Sequence, residues 1–256
     1  MKRRLLSAFL AVMMVLTMAP VAFAADETNT TSVGSYEDLV NAIASAGNGA
    51  TITLNGDIDV QQTLVVTKGL DLAGHKLHNT NNLWDDQGNN WSLISVRENG
   101  DLTITGNGTL DAKKDDCYAV DVQDVDASVT IADGTFVGNI HAVYVQEGTA
   151  FIKGGSYSIQ QKYPDAAKAN EFVLNCYDAS RRDYKAKIYV SGGSFEKFNP
   201  ADCKAEGEGT NFCEEGYTTT QNGDTYAVEA GTNAAVANAG ANYNTIATAI
   251  AVVKNG

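Results

Sequence analysis

LTITGNGTL (102–110), VTIADGTF (129–136), AFIKGGSY (150–157) and IYVSGGSF (188–195) are four versions of one phrase. Each is an apolar strand of period two, a Gly turn, and a short strand that opens Gly-Thr or Gly-Ser and carries a large apolar residue. A unit this short cannot bury its own apolar face, so copies of it must stack. LDLAGHKL (70–77) is an earlier copy. Each copy but the last leads through a loop to a third strand: SLISVR (92–97), YAVDVQ (118–123), HAVYVQ (141–146) and FVLNCY (172–177). The shortest interval runs from Gly134 to Gly155, and the other rounds are that unit with longer loops. Three short parallel strands in a round of about 20 residues predict an all-β chain wound as a parallel β-helix. A β-sandwich has similarly spaced strands but no need of a repeated phrase.

Aligned third strands place Ile94, Val120, Val143 and Leu174 in one inward ladder and Val96, Val122, Val145 and Cys176 in the next. Cys176 then reads as a small core residue. Cys117 sits too far from it along the strand for a disulfide. The alternate positions, Ser95, Asp121, Tyr144, Asn175 and Arg97, Gln123, Gln146, Tyr177, are expected to face solvent.

The first 24 residues have a basic start (Lys2, Arg3, Arg4), an apolar run and the small-residue exit Ala22-Phe23-Ala24. They read as a secretory signal peptide rather than a membrane anchor, because the run is short and ends at Pro20. The chain is therefore expected to be secreted, extracellular or at the cell surface, with no direct membrane insertion. Eighteen basic against 31 acidic residues give a net charge of -13, and losing the signal removes only basic ones. Nucleic acid and anionic lipid are not expected partners. An even count of cysteines in an exported chain permits disulfides, and a Cys203–Cys213 bridge would close a Gly- and Glu-rich loop.

Ser35 reads as a helix N-cap with Asp38 three residues on; Tyr36, Leu39, Val40 and Ile43 give the apolar stripe of a short helix expected to cover the open end of the stack. At a constant offset, Tyr243, Ile246, Ala249, Ile250, Asn255 and Gly256 repeat Tyr36, Leu39, Ala42, Ile43, Asn48 and Gly49. The expected organisation is signal peptide 1–24, linker 25–34, a β-helix with its capping helix over 35–232 that closes in a hairpin, and a linker with the start of a second repeat unit over 233–256.

TITLNGDIDV (51–60), LDLAGHKL, the four phrases above and FNPADCKAEGEGTNFCEEGY (198–217) together resemble the right-handed parallel β-helix proteins of the pectate-lyase-like superfamily. They are most similar to secreted repeat proteins of gut Gram-positive bacteria and their phages. The resemblance implies a right-handed coil of three strands per turn; because that superfamily holds lyases, hydrolases, adhesins and viral fibres, it implies no single activity.

The loops before the third strands (79–91, 111–117 and 158–170) are expected to cluster beside the outward ladders. They bring Trp84, Trp91 and Tyr163 next to Arg97, Asp121, Gln123, Tyr144, Gln146, Asn175 and Tyr177. Aromatic faces beside amides, hydroxyls and carboxylates suit sugar rings, although either Trp also reads as a cover for the stack. The leading expectation is a non-catalytic surface for an extracellular glycan or host surface protein, with no cofactor; the alternatives are a lyase or hydrolase of acidic polysaccharide and a ligand-free spacer. A lyase needs carboxylates around calcium and a strong base, for which Asp121, Asp124, Asp126, Arg97, Asp115 and Asp116 are the nearest candidates. A hydrolase needs opposed carboxylates on adjacent rounds, and Ser95, Tyr144 and Asn175 stack on Asp121 instead. Lys162, Lys168, Arg181, Arg182, Lys185 and Lys187 form a basic island, read as a solvated loop or a seat for an anionic glycan.

Overall fold

The computed structural model describes residues 30–47, 49–80, 91–164 and 171–231. The signal peptide, Trp84, Lys168 and the repeat expected at 233–256 lie outside the described residues. Strands are numbered along the chain. Seven form one sheet, in the order β1 (Thr30–Val33), β2 (Thr51–Leu54), β5 (Gly69–Asp71), β8 (Asp101–Thr105), β11 (Ser128–Ile131), β14 (Gly148–Ile152) and β17 (Ala186–Val190). A second sheet runs β3 (Ile58–Asp59), β6 (Lys76–His78), β9 (Thr109–Asp111), β12 (Thr135–Gly138), β15 (Ser156–Ile159) and β18 (Ser194–Glu196), and ends in β20 (Thr225–Ala230) and β19 (Tyr217–Asn222). The third holds β4 (Leu64–Val65), β7 (Ser92–Val96), β10 (Tyr118–Val122), β13 (His141–Val145) and β16 (Leu174–Cys176). From β2 to β18 the chain visits the three sheets in turn, so each strand pairs in parallel with the strand three places on.

This alternation follows from the phrase. The large apolar residue of each short strand falls into one ladder, Leu77, Leu110, Phe136, Tyr157 and Phe195, all buried. Phe136 stacks on Tyr157 at 5.1 Å and Tyr157 on Phe195 at 4.8 Å, close to the spacing of hydrogen-bonded strands. In the third sheet Ile94, Val120, Val143 and Leu174 are in register, as are Val96, Val122, Val145 and Cys176. These eight residues are 0–1% exposed, so the two inward ladders stand as expected. A round that the sequence reading left undivided, β2 to β4, precedes LDLAGHKL.

The Gly pair inside AFIKGGSY serves two purposes. Gly155 has φ +89°, which turns the chain from β14 into β15, and a Cβ on Gly154 would lie 2.2 Å from the carbonyl oxygen of Ala132 in the preceding round. Gly154→Ala is expected to lower stability by about 1–3 kcal/mol. Gly56→Ala, where the nearest atom would be 3.6 Å away, should leave the denaturant midpoint almost unchanged.

At the N-terminal end the helix α1 (Tyr36–Ser45) packs against β1 and β2. Ser35 is its N-cap and accepts from the Asp38 N–H at 3.2 Å. Leu39 and Ala42 are buried and Tyr36 and Ile43 pack against the core, whereas Val40, expected in the stripe, is 39% exposed on its flank. Thr30–Val33, within the stretch read as linker, pairs with β2 as the edge strand β1.

Each sheet edge at the other end is covered differently. The antiparallel hairpin β19–β20 pairs onto β18. The Phe212 carbonyl and the Glu214 N–H bond Val190 of β17, and Glu206 Oε1 accepts the Cys176 N–H of β16 at 2.9 Å. Each of these contacts occupies part of an edge that would otherwise be open to pairing, and β19 becomes the outermost strand of its sheet. Cys203 and Cys213, expected as a bridge, are both free thiols in this loop. Burial pushes each up to about 11. Cys117 and Cys176 are also free and are buried. Among the described residues no helix is long and apolar enough to cross a membrane.

Candidate functional site

The outer face of the third sheet differs from strict alternation at one place. Leu93-Ile94, Ala119-Val120, Ala142-Val143 and Val173-Leu174 are each two consecutive buried residues. Where β13 meets β16, the N–H groups of both Ala142 and Val143 reach the carbonyl of Val173, at 2.8 and 3.3 Å. This break in the pleat turns the preceding residue of a strand to the outer face. Ser92 therefore reaches Asp121, and Tyr118 and His141 stack with Tyr144.

The outward ladder Ser95, Asp121, Tyr144, Asn175 has the expected register, but two of its members do not face solvent. Ser95 is 0% and Asp121 1% exposed. The long polar side chains of the neighbouring ladder fold back over them: Arg97 Nε donates to Ser95 Oγ at 2.8 Å and Gln123 Nε2 to Asp121 Oδ2 at 2.6 Å. Ser92 Oγ donates to Asp121 Oδ1 at 3.0 Å. Burial pushes the Asp121 carboxyl above its ordinary range, while bonds from Ser95, Gln123 and Ser92 and the charge of Arg97 pull it back.

Over this polar floor lies a cavity of about 250 Å³ lined by Trp91, Tyr118, Asp121, Gln123, Tyr144 and Gln146. Five of the six are expected site residues. The sixth, Tyr118, escaped the sequence reading because period-two alternation sends it inward with Val120; the consecutive Ala119-Val120 pair was the available signal. Tyr118 and Tyr144 stack at 4.6 Å with their planes 18° apart, and His141 lies 5.6 and 5.7 Å from them. Trp91 is 46% exposed and its carbonyl accepts the Tyr118 N–H at 2.8 Å. Burial pushes the Tyr144 hydroxyl up to about 12, and raises that of Tyr118 as well, so both remain neutral donors.

The other expected residues lie outside the cavity lining. His141 Nδ1 donates to the Phe172 carbonyl at 2.5 Å, and its Nε2 accepts from Asn175 Nδ2 at 3.1 Å. Asn175 Oδ1 is left buried without a hydrogen-bond partner. Tyr177 is 49% exposed beside the short helix α2 (Asp178–Arg182). The Tyr163 N–H bonds Glu171 Oε1 at 2.9 Å.

Burial holds the His141 imidazole down to about 4, against an ordinary value of 6.5. Folded chain stays neutral there down to about pH 4, whereas unfolded chain takes up the proton below about 6.5. Stability from this group is thus complete above pH 6.5 and falls as pH drops through the window, by up to ~3 kcal/mol. His141→Phe, which keeps a ring in the stack, should lose less stability between pH 6.5 and 4 than wild type in thermal melts. Parallel curves would show that the imidazole is not held neutral.

Parts of the three expanded loops come together. Lys113 N–H donates to Asn79 Oδ1 at 2.7 Å, and Lys114, Asp115, Asp116, Asn139, Gln160 and Gln161 line a hollow of about 380 Å³. The basic island is divided: Lys185 lies 3.7 Å from Glu147, and Arg181 and Arg182 share a cleft of about 710 Å³ with Asp178, Glu206 and Glu208. Asp124, named with Asp121 as a possible calcium ligand, accepts the Glu98 N–H in a turn at 2.6 Å. Among the described residues no three of His, Cys, Asp or Glu come together as a metal-binding group. In comparisons with known proteins, no family model, no curated sequence and no solved structure matches this chain.

Proposed function

We propose that this chain is an exported right-handed parallel β-helix of three strands per turn that presents the outer face of its third sheet as a non-catalytic, glycan-binding surface outside the cell. Support for the coil comes from the pairing of every third strand, and support for export from the basic, apolar and small-residue order of residues 1–24. The single observation that carries the binding reading is the cavity in which the rings of Trp91, Tyr118 and Tyr144 meet the amides of Gln123 and Gln146 over a buried carboxylate. Ring faces take the C–H surface of a sugar and amides take its hydroxyls. Asp121 is already held by side-chain donors and has no acidic neighbour in its ladder, so the face offers no pair of carboxylates for hydrolysis.

The test is binding of the purified protein to a broad glycan array, with and without calcium. A specific set of glycans, retained by wild type and lost by Tyr144→Ala, supports the reading. An empty array with folded protein overturns it.

A further inference from the structure

We infer that this groove takes a single uncharged sugar ring and discriminates against uronates, with Gln123 as the acceptor for a sugar hydroxyl and Asp121 as the positioning residue that fixes it. The inference rests on the glycan reading above and specifies its ligand class.

Size comes first. Clefts that enclose drug-sized ligands hold ~300–1,000 Å³; at about 250 Å³ this one has room for one ring, with the rest of a glycan left on the rim. Trp91, Tyr118 and Tyr144 are among its lining residues, the two tyrosines stacked on each other as one unit, and aromatic rings suit the apolar face of a sugar.

Charge comes second. None of the six lining residues is Lys, Arg or His, so a uronate carboxylate would enter without a cation on the cavity wall. It would also enter a chain of net charge -13, and an unpaired charge taken out of water is costly. A cationic amino sugar is no better served. Ser92 and Gln123 donate to the two Asp121 oxygens, and the charge of Arg97 opposes the burial that raises its carboxyl. That carboxylate is used within the protein rather than offered to a ligand.

Direction comes third. In the 2.6 Å contact Gln123 Nε2 donates to Asp121 Oδ2, so the amide turns its nitrogen end to Asp121. Oε1 is then turned away from the carboxylate, on a side chain that lines the cavity. An acceptor held beside aromatic rings selects a ligand that donates from a hydroxyl.

Calorimetric titration of the purified protein with neutral hexose oligosaccharides, the matching uronate oligosaccharides and free-amine hexosamine oligosaccharides tests the assignment. The expected result is saturable binding of a neutral series, with the uronate and hexosamine series at least tenfold weaker. Gln123→Leu should weaken the neutral series about fivefold or more. Asp121→Asn, in which residue 121 gains a donor and frees the amide to turn over, should weaken it as well, and the double variant should lose no more than Gln123→Leu alone. Additive losses would show that Asp121 does not act through Gln123. If Asp121→Asn does not fold, Gln123→Leu and the comparison of the three series still decide. Tighter binding of uronates or hexosamines than of neutral sugars overturns the inference while leaving the glycan reading in place; binding of none of the three overturns both.

Discussion

Val122→Asp is expected to abolish folding at ordinary temperatures. Val122 is 0% exposed and stands in register between Val96 and Val145, both also at 0%. A carboxylate there would be buried against apolar side chains above and below, with no donor in its ladder. The penalty for such a group is several kcal/mol, against a total stability of about 5–15 kcal/mol for a domain. Val125→Asp, in the turn that follows and at a residue 51% exposed, should change the melting temperature little. Circular dichroism melts of the two variants make the comparison. If Val122→Asp melts like wild type, the ladder does not face inward and the assigned pairing of the third sheet is wrong.

Tyr144→Ala is expected to remove most of the sugar affinity, about 2 kcal/mol or roughly 30-fold, the range of an aromatic anchor at the centre of a binding site. Tyr144 forms one wall of the cavity and also holds the ring of Tyr118 at 4.6 Å, so its loss removes one contact and loosens another. Tyr144→Phe should retain much of the affinity, because it keeps the ring and discards only the hydroxyl. Titration calorimetry against a glycan found on the array gives both values. Equal affinity in wild type and Tyr144→Ala would place recognition elsewhere on the molecule.

Both predictions depend on strand register, and register was the most legible property of the sequence. Ile94, Val120, Val143 and Leu174 could be aligned from text alone, because parallel strands in successive rounds repeat the same apolar position and a slip by one residue would turn the whole set outward. The same logic failed at Tyr118. Alternation holds from Val120 onward, but Ala119 and Val120 are both buried, and the pleat breaks just where the chain enters the strand. No propensity rule marks such a break in one strand; it shows only as the recurrence of two small or apolar residues in all four third strands.

Asp121 was misread for another reason. Its position on the outer face was correct, and solvent exposure was inferred from that position. Whether an outward residue is covered depends on side chains from the next ladder and the next round, here Gln123, Arg97 and Ser92, and their reach is not encoded in period two. Val40 shows the same limit on a helix: its spacing fits the apolar stripe, yet α1 meets the stack along Leu39 and Ala42 and leaves Val40 on the flank.

The central claim, that the Trp91, Tyr118 and Tyr144 groove is a sugar-recognition site, has a spectroscopic handle. The chain has two tryptophans, so Trp84→Phe leaves Trp91 as the sole indole reporter. Titrating that variant with a glycan already shown to bind should give a saturable shift and intensity change in Trp91 emission, with the midpoint matching the calorimetric affinity. Calorimetric binding that leaves Trp91 emission unchanged would contradict the account and move the site off this face.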